Sequence, residues 1–499
     1  MSDTEHLSQP LAAIDLGSNS FHLILAREVE GQIQTIEKRG EKVQLAAGLD
    51  AQRRIAPAAE ERALACLERF AQRLQGMPRS RVTVLGTNTL RAASNARDFI
   101  RKANTILGFP IEVIAGIEEA RLIYLGVAHT LADDEGKRLV VDIGGGSTEF
   151  IIGERFRPIE LESLEMGCVA YHDKFFSDGL LNKTNFKLAT KAAQQEIQRI
   201  RSRYKKVGWQ NVVGSSGTIR AATRVLKGYG LSGDGIQLKA LRQLRDLMID
   251  QKQIDQLSLQ GVKDQRLRVF PAGVAILIGI FEALGIEHMG YSDGALREGA
   301  LYDLLGRAQH EDVREKTVDA LQARYAVDIK HSERVKKTVT KLYEQVKGPW
   351  KLDNSEYADW LRWAGDLFEM GLSVAHSQFH KHGAYLIQHS DMPGFSQQTQ
   401  HYVSLLVAAH RRKIPMTELD SFTGDDKLTL LRLIVLLRIA VLLHHGRGQK
   451  VLVPNVSVGR QSISLAFPDE YLATHSMMEM DLALERDFEQ AAGIELSFS

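Results

Sequence analysis

Apolar positions in the first third of the chain come in short runs. Leu11–Ile14 and Phe21–Ala26 are two of them, and each has the length of a strand. Between them, Asp15-Leu16-Gly17-Ser18-Asn19-Ser20 is turn chemistry, because Gly, Asn and Ser accept tight backbones. Ile33–Glu37 predicts a third strand. The period then changes, with Leu64, Leu67, Phe70, Ala71 and Leu74 on one helical stripe. Val82–Leu85 reads as a strand running into a turn, Gly86-Thr87-Asn88-Thr89-Leu90-Arg91. Ile111–Ile114 is a further strand, Gly116 punctuates it, and Glu118-Glu119-Ala120-Arg121-Leu122-Ile123 opens a helix. The pattern restarts with the strand Arg138–Ile143, the turn Gly144-Gly145-Gly146-Ser147 and the strand Thr148–Ile152. A strand, an Asp-x-Gly turn and a strand thus occur twice, at Asp15 and at Asp142. This weak repeat predicts two similar α/β halves facing a cleft.

Beyond these halves the chain turns polar at Leu305-Gly306-Arg307-Ala308-Gln309-His310-Glu311-Asp312, which predicts a domain boundary. Val313 to about Leu443 follows a helical pattern. From about Lys450, β-type alternation returns in Val451-Leu452-Val453 and in Ser462–Phe467, as expected of a small α+β end domain. The expected division is 1–125, 126–308, 309–445 and 446–499. Two longer apolar runs, Val269–Ile286 and Leu428–Leu443, contain Pro271, Gly273, Gly279 and Glu282, or Arg432 and Arg438. Breakers and charges inside such short runs predict buried helices, not membrane spans.

Composition narrows the class. With 499 residues, 44% hydrophobic and 25% charged, the chain supports several ordinary globular cores. A net charge of +1 gives no global field for a polyanion, so an anionic substrate must be held locally, and nucleic acid is not an expected partner. Only Cys66 and Cys168 occur, far apart, which points to a reducing compartment without structural disulfides or thiolate zinc. The opening Met1–Pro10 is polar and acidic, unlike a signal peptide. A cytoplasmic protein is expected, with peripheral association to the inner membrane left open.

The chemistry concentrates in the turns. Gly144, Gly145 and Gly146 let backbone N–H groups approach an anion, and Ser147 and Thr148 add hydroxyls. Asp142 and Glu149 supply hard oxygens suited to Mg²⁺, so the stretch offers a phosphate cradle with a metal site. The Asp15–Ser20 turn is the same device with less glycine. Gly214-Ser215-Ser216-Gly217-Thr218, between an apolar strand and a helical run, could form an anion site from helix N-terminal amides. Glu118 and Glu119 fit either dipole-favoured helix starters or a general base for water. Arg91 is either solvated or a bidentate phosphate clamp.

In order, Asp15-Leu16-Gly17-Ser18-Asn19-Ser20-Phe21-His22, Gly86-Thr87-x-Thr89-Leu90-Arg91, Gly116-x-Glu118-Glu119-Ala120-Arg121-Leu122-Ile123, Asp142–Glu149 and Ser292-Asp293-Gly294-Ala295-Leu296-Arg297-Glu298-Gly299 resemble the exopolyphosphatase / guanosine pentaphosphate phosphohydrolase family. The motifs span about Leu11 to Leu301, and the remainder resembles the C-terminal part of the family's long bacterial members. The resemblance implies an α/β fold of two actin-like (ASKHA, ribonuclease H-like) domains facing a cleft, then a helical HD-like domain and a small α+β domain. It implies Mg²⁺-dependent removal of terminal phosphate from inorganic polyphosphate or, as the second choice, from guanosine pentaphosphate. It makes Glu119 the catalytic base and Asp142, Glu149 and Asp15 the acids at the magnesium site. Ser18, Asn19, Arg91, Gly144, Gly145, Gly146, Ser147 and Gly217 match phosphate-contacting positions. It also implies a homodimer.

In the C-terminal part, Phe368-Glu369 stands where an active HD domain would carry its His-Asp metal pair. No second hydrolase centre is therefore expected, and His376, His380, His382, His389, His401 and His410 read as core or surface histidines. Arg199, Arg201, Arg203, Lys205 and Lys206, then Arg411, Arg412 and Lys413 with Lys381 and His382, are solvated faces by default or holds for a long anionic chain. Two other classes stay open: a kinase or chaperone-like ATPase of the same superfamily, and a non-catalytic binder of polyphosphate or alarmone.

Overall fold

The computed structural model describes residues 10–499 apart from 30–31, 132–135, 234, 263, 309–311, 353, 355, 423 and 449–450. The expected reading of residues 1–9, the Gln309–Glu311 part of the polar boundary and the start of alternation at Lys450 lie outside the described residues. The chain forms two compact units, Met1–Asp312 and Val313–Ser499.

The first unit holds two sheets. Strands β1 (Leu11–Leu16), β2 (Ser20–Val29), β3 (Gln32–Lys42), β4 (Val82–Gly86) and β5 (Glu112–Val113) form a sheet of order β3-β2-β1-β4-β5. Strands β6 (Lys137–Ile143), β7 (Thr148–Glu154), β8 (Arg157–Leu164), β9 (Asn211–Ser215), β10 (Ile236–Gln237) and β11 (His288–Tyr291) form the second, of order β10-β11-β9-β6-β7-β8. The repeat seen in the sequence is the two hairpins β1–β2 and β6–β7. Each is antiparallel within itself and runs parallel to its other neighbour, β4 or β9.

Period-two burial explains why β1 and β6 read as continuous apolar runs. Ala12, Ile14 and Leu16 face an outer core with the helices Pro57–Ala71 and Ala96–Leu107, while Leu11 and Ala13 face an inner one. Likewise Leu139, Val141 and Ile143 face the outer core of the second sheet, and Val140 faces the shared inner core. Strands covered on both faces have no polar side to show. Between the sheets lie the helices Gly116–Thr130 and Leu296–Ala308. They cross backbone to backbone: a Cβ on Gly299 would fall 1.7 Å from the Leu122 carbonyl oxygen. That crossing leaves no room for the helix carrying Glu118 and Glu119 to slide.

Val269–Ile286 becomes the helix Phe270–Leu284, buried along its length except at Glu282. Among the described residues no helix is long and apolar enough to cross a membrane. Two local readings change. Gly86–Arg91 is not a plain turn, because Asn88–Ala92 coils into a short helix after β4. The basic run Arg199–Lys206 lies on the helix Lys183–Val207 and is largely consumed locally. Arg199 pairs with Glu196 at 3.1 Å, Arg203 with Glu160 at 2.9 Å and Glu162 at 2.8 Å, and Arg201 donates to the Ala283 carbonyl.

The second unit is helical, with Asp425–Leu443 as its buried centre, and ends in the sheet β12 (Asn455–Val458), β13 (Ser462–Ala466) and β14 (Glu495–Phe498). Val451–Val453 is not strand; it packs half-buried on the helical core, and pairing starts only at Asn455. Phe368 is buried between the rings of His331 (5.8 Å) and His410 (5.4 Å). Glu369 takes the Arg447 guanidinium at 2.5 Å, so this position carries its own internal cation. Among the described residues no group of three His, Cys, Asp or Glu side chains is placed to hold a metal ion.

Candidate active site

The two hairpin turns meet. A Cβ on Gly145 would stand 2.8 Å from the Ser18 Cβ, so the turns of the two lobes touch with only glycine allowing it. Ser18 is buried and its hydroxyl accepts from Thr89 at 2.8 Å, which ties the first turn to the short helix after β4. The glycine turn is pinned from behind. Gly144 donates to Ser147, Cys168 donates to the Gly144 carbonyl, and Val169 and Ala170 donate to the Gly145 carbonyl. None of these bonds uses the N–H of Gly145 or Gly146. A Cβ on Gly167 would come within 2.3 Å of the Gly145 backbone, so the chain at Gly167 is packed directly on the turn.

Around this junction lies a cleft of about 360 Å³ lined by both turns, by Glu119 and Asp142, by Gly217 and by Arg266 and Arg297. The helix Ser216–Gly228 begins at its wall. Ser216 sits at φ +82, with its hydroxyl on the Ile143 carbonyl at 3.0 Å, and a Cβ on Gly217 would strike the Arg266 guanidinium. A helix start beside a guanidinium is a favourable seat for an oxyanion.

Packing separates the two glutamates that the sequence left equivalent. Glu118 accepts two hydrogen bonds from Arg121, each 2.8 Å, and Arg121 also reaches Asp303 at 2.5 Å; the trio is buried. Glu119 turns to the cleft, and its Oε2 accepts from Arg91 Nη1 at 2.9 Å. Arg91 also donates to the Ile114 carbonyl, so it holds Glu119 and does not itself line the cleft.

Four carboxylates gather here, and burial is the main cause of their raised pKa values. Asp142 and Glu149 are directly paired across β6–β7, and Ser163 donates to Glu149 at 2.8 Å. Burial pushes Asp15 up to about 7; Arg297 counters it, while Glu119 and Asp142 push it further. Asp142 is likewise raised to about 7, by burial first and then by Glu119. Glu149 is pushed well above the usual range by burial and by Glu119 and Asp142. Burial raises Glu119 too, against the pull of Arg91. His22, whose Nδ1 is 4.0 Å from Asp15, is driven down to about 3 by burial and by Arg297, Arg266 and Arg220, and stays neutral.

Of the residues singled out in the sequence, Asp15, Ser18, Asn19, Glu119, Asp142, Gly144, Gly145, Gly146, Ser147 and Gly217 all line this cleft. Glu149 and Arg91 stand behind it. Sequence reasoning missed Arg297, Arg220, Arg266, Lys38 and His22. Arg297 and His22 sat inside quoted motifs and could have been picked out there. Lys38, Arg220 and Arg266 carry no local signal, because only the fold brings them to the cleft.

Two actin-like lobes facing a glycine-turn cleft, with the Glu119 carboxylate turned inward, suit an enzyme of phosphoryl chemistry. The model of the Ppx/GppA phosphatase family matches residues 24–308, and that of Ppx/GppA phosphatase, domain III, matches residues 313–486. A guanosine-5′-triphosphate,3′-diphosphate pyrophosphatase of Vibrio cholerae serotype O1 is 40% identical over 498 residues, 99% of each chain. One of Aeromonas hydrophila is 40% identical over 493 residues, 98% of each. Among solved structures, the Aquifex aeolicus PPX-GPPA enzyme is 26% identical, covering 59% of this chain and 99% of its own, with TM-score 0.51. An exopolyphosphatase from Cytophaga hutchinsonii is 23% identical, covering 60% of this chain and 98% of its own, with TM-score 0.55. The chain belongs to the Ppx/GppA phosphatase family, and its reaction is hydrolysis of a phosphoanhydride bond.

Proposed function

We propose that the protein removes the terminal 5′ phosphate of guanosine 5′-triphosphate,3′-diphosphate. The observation that carries the hydrolytic reading is Glu119, a carboxylate held by Arg91 and turned into a cleft floored by the glycine turns. The full-length relatives favour the guanosine substrate, which reverses the order expected from the sequence, with polyphosphate now second.

In this reading the terminal phosphate lies on the amides of Gly145 and Gly146, with Ser18, Asn19, Ser147 and the Gly217 helix start around it. Glu119 takes a proton from water as the water oxygen bonds to phosphorus. The bridging P–O bond breaks and the shortened nucleotide leaves with the electron pair. The buried, raised carboxylates are a hard-oxygen donor set, which fits a divalent cation such as Mg²⁺. That ion keeps several of its waters and needs only a few protein ligands, so a preformed cage is not required. Asp15 and Asp142, which line the cleft, would hold it, with Glu149 behind them, paired to Asp142 across the hairpin. When bound it would neutralise charge on the phosphates. The proposal includes a cytoplasmic homodimer; light scattering in solution tests the dimer.

Phosphate release, measured side by side on guanosine 5′-triphosphate,3′-diphosphate and long-chain polyphosphate with Mg²⁺, decides the substrate. Release from polyphosphate alone would overturn the guanosine reading. Phosphoryl transfer to a small acceptor in place of water would return the kinase reading.

A further inference from the structure

The short helix Asn88–Ala92 touches three parts of the cleft with three of its first four residues. The Arg91 guanidinium holds Glu119. The Asn88 side chain packs on the glycine turn, since a Cβ on Gly146 would fall 2.2 Å from Asn88 Oδ1. The third contact is Thr89, whose hydroxyl donates to the Ser18 hydroxyl at 2.8 Å. We propose that Thr89 is a positioning residue that turns the Ser18 hydroxyl proton toward a phosphate oxygen in the cleft. The inference rests on the phosphohydrolase reading and deepens it.

A serine hydroxyl has one proton to give and two lone pairs to receive with. Thr89 takes one lone pair of Ser18, and among the described residues no side chain or carbonyl takes the Ser18 proton. The proton also cannot point at Thr89, because it would face the proton arriving from there. Ser18 lines the cleft although it is only 6% exposed, so the cleft is where its proton finds an acceptor.

Other freedom around Ser18 is already removed. Its carbonyl accepts from Ala46 at 2.9 Å, and the Asn19 carbonyl accepts from Val43 and Gln44. Its Cβ stands against Gly145, whose N–H is unused, so a donor from each lobe meets at one junction. Rotation of the hydroxyl is what remains, and Thr89 fixes it. A donor set before the substrate arrives needs no reorganisation, and accepting one hydrogen bond strengthens the one it gives. Inside a longer helix a threonine hydroxyl commonly returns to the carbonyl one turn back. Thr89 is the second residue of its helix, has no helical carbonyl behind it, and reaches Ser18 instead. Residues two apart on one helix thus hold the base and a phosphate donor.

The test compares wild type, Thr89→Val and Thr89→Ser on whichever of guanosine 5′-triphosphate,3′-diphosphate and polyphosphate the wild type hydrolyses. Valine keeps the branched shape without the hydroxyl, and serine keeps the hydroxyl. We expect Thr89→Val to raise KM about 10- to 100-fold with kcat within about threefold, and Thr89→Ser to stay within about threefold of wild type in both. Ser18→Ala should show the same loss as Thr89→Val, and combining the two should cost no more than about a further twofold. The acid limb of the kcat/KM profile should not move, since Arg91 still holds Glu119. An unchanged KM in Thr89→Val, a Thr89→Ser variant as impaired as Thr89→Val, losses that multiply in the double variant, or a shifted acid limb each overturn the proposal. Should Thr89→Val not fold, Thr89→Ala is read in the same assays. If the wild type hydrolyses neither substrate, the function reading fails separately. Calorimetric binding of inorganic phosphate then decides Thr89 alone: weaker binding by Thr89→Val than by wild type and Thr89→Ser supports its role, and equal binding overturns it.

Discussion

Replacing Asp142 by Asn should make the metal-free protein more stable and the enzyme inactive. Asp142 is 7% exposed and its carboxyl is raised from 3.8 to about 7, chiefly by burial and then by Glu119. A difference of about 3 pKa units corresponds to about 4 kcal/mol between the two protonation states, an upper bound for what the ionised form costs. The folded-state pKa lies above the unfolded one, so this contribution is fully present below about 4 and is lost as pH rises through about 7. Asp142→Asn removes the charge and keeps the shape. Near pH 8 without divalent cations we expect a gain of about 2–4 kcal/mol, or several degrees in melting temperature. Near pH 4 the wild-type carboxyl is already protonated, and the two proteins should melt together. Mg²⁺ should raise the wild-type melting temperature at pH 8 and do much less for the variant. Thermal melting at both pH values, with and without Mg²⁺, reads all of this. A variant equally destabilised at pH 4 and pH 8 would refute the argument, because Asp142 would then act through hydrogen bonds and not through charge.

Glu119→Gln should lower kcat by about 10²–10⁴-fold with KM little changed, and a small loss in steady-state phosphate release would remove Glu119 as the base. Arg91→Met removes the guanidinium that pulls the Glu119 pKa down. The acid limb of the kcat/KM profile should then move to higher pH, and an unmoved limb would leave Arg91 a purely structural partner. Gly167→Ala pushes a methyl into the Gly145 backbone, which cannot swing aside as a flexible side chain could. We expect a loss of about 1–3 kcal/mol in stability with a fall in kcat, measured by urea unfolding and phosphate release; near-native values for both would show that the turn can yield. Arg438→Leu in the second unit should cost about 3–5 kcal/mol. It leaves Glu485 buried without its cation, and an unchanged urea midpoint would contradict this.

The hairpins were legible because each needs a local pattern only: a short apolar run, a turn of Gly, Ser and Asn, and another run. β1 and β6 were legible as apolar runs of strand length, and it is the structure that shows them covered on both faces. Other features depend on contacts between distant residues. Glu118 and Glu119 are chemically alike and adjacent, and what separates them is Arg121 closing on Asp303, 182 positions away. Arg220 and Arg266 reach the cleft only after the second lobe folds, and nothing in their neighbours marks them. Val451–Val453 shows the opposite failure, in which an alternating apolar run found a helical core to pack on before it found a strand to pair with.

The repeat explains why the site carries a stability cost that later serves its chemistry. Duplicating a strand–Asp–turn unit and folding the copies face to face brings Asp15 and Asp142 near each other, and Glu149 follows because it is paired with Asp142 across the hairpin. Glu119 then enters from the helix between the sheets, locked there by the Gly299 crossing. Burial raises all four carboxylates, Glu119 raises Asp15, Asp142 and Glu149 further, and Asp142 raises Asp15 and Glu149, so holding all four charges in the cleft is costly. In the proposed reaction that cost would favour a bound divalent ion, and burial would make Glu119 a stronger base than a solvated glutamate. A variant that relaxes the cluster should therefore gain stability and lose turnover together, a trade-off typical of strained active sites. The Asp142→Asn measurement tests that coupling directly, since its two readouts must move in opposite directions.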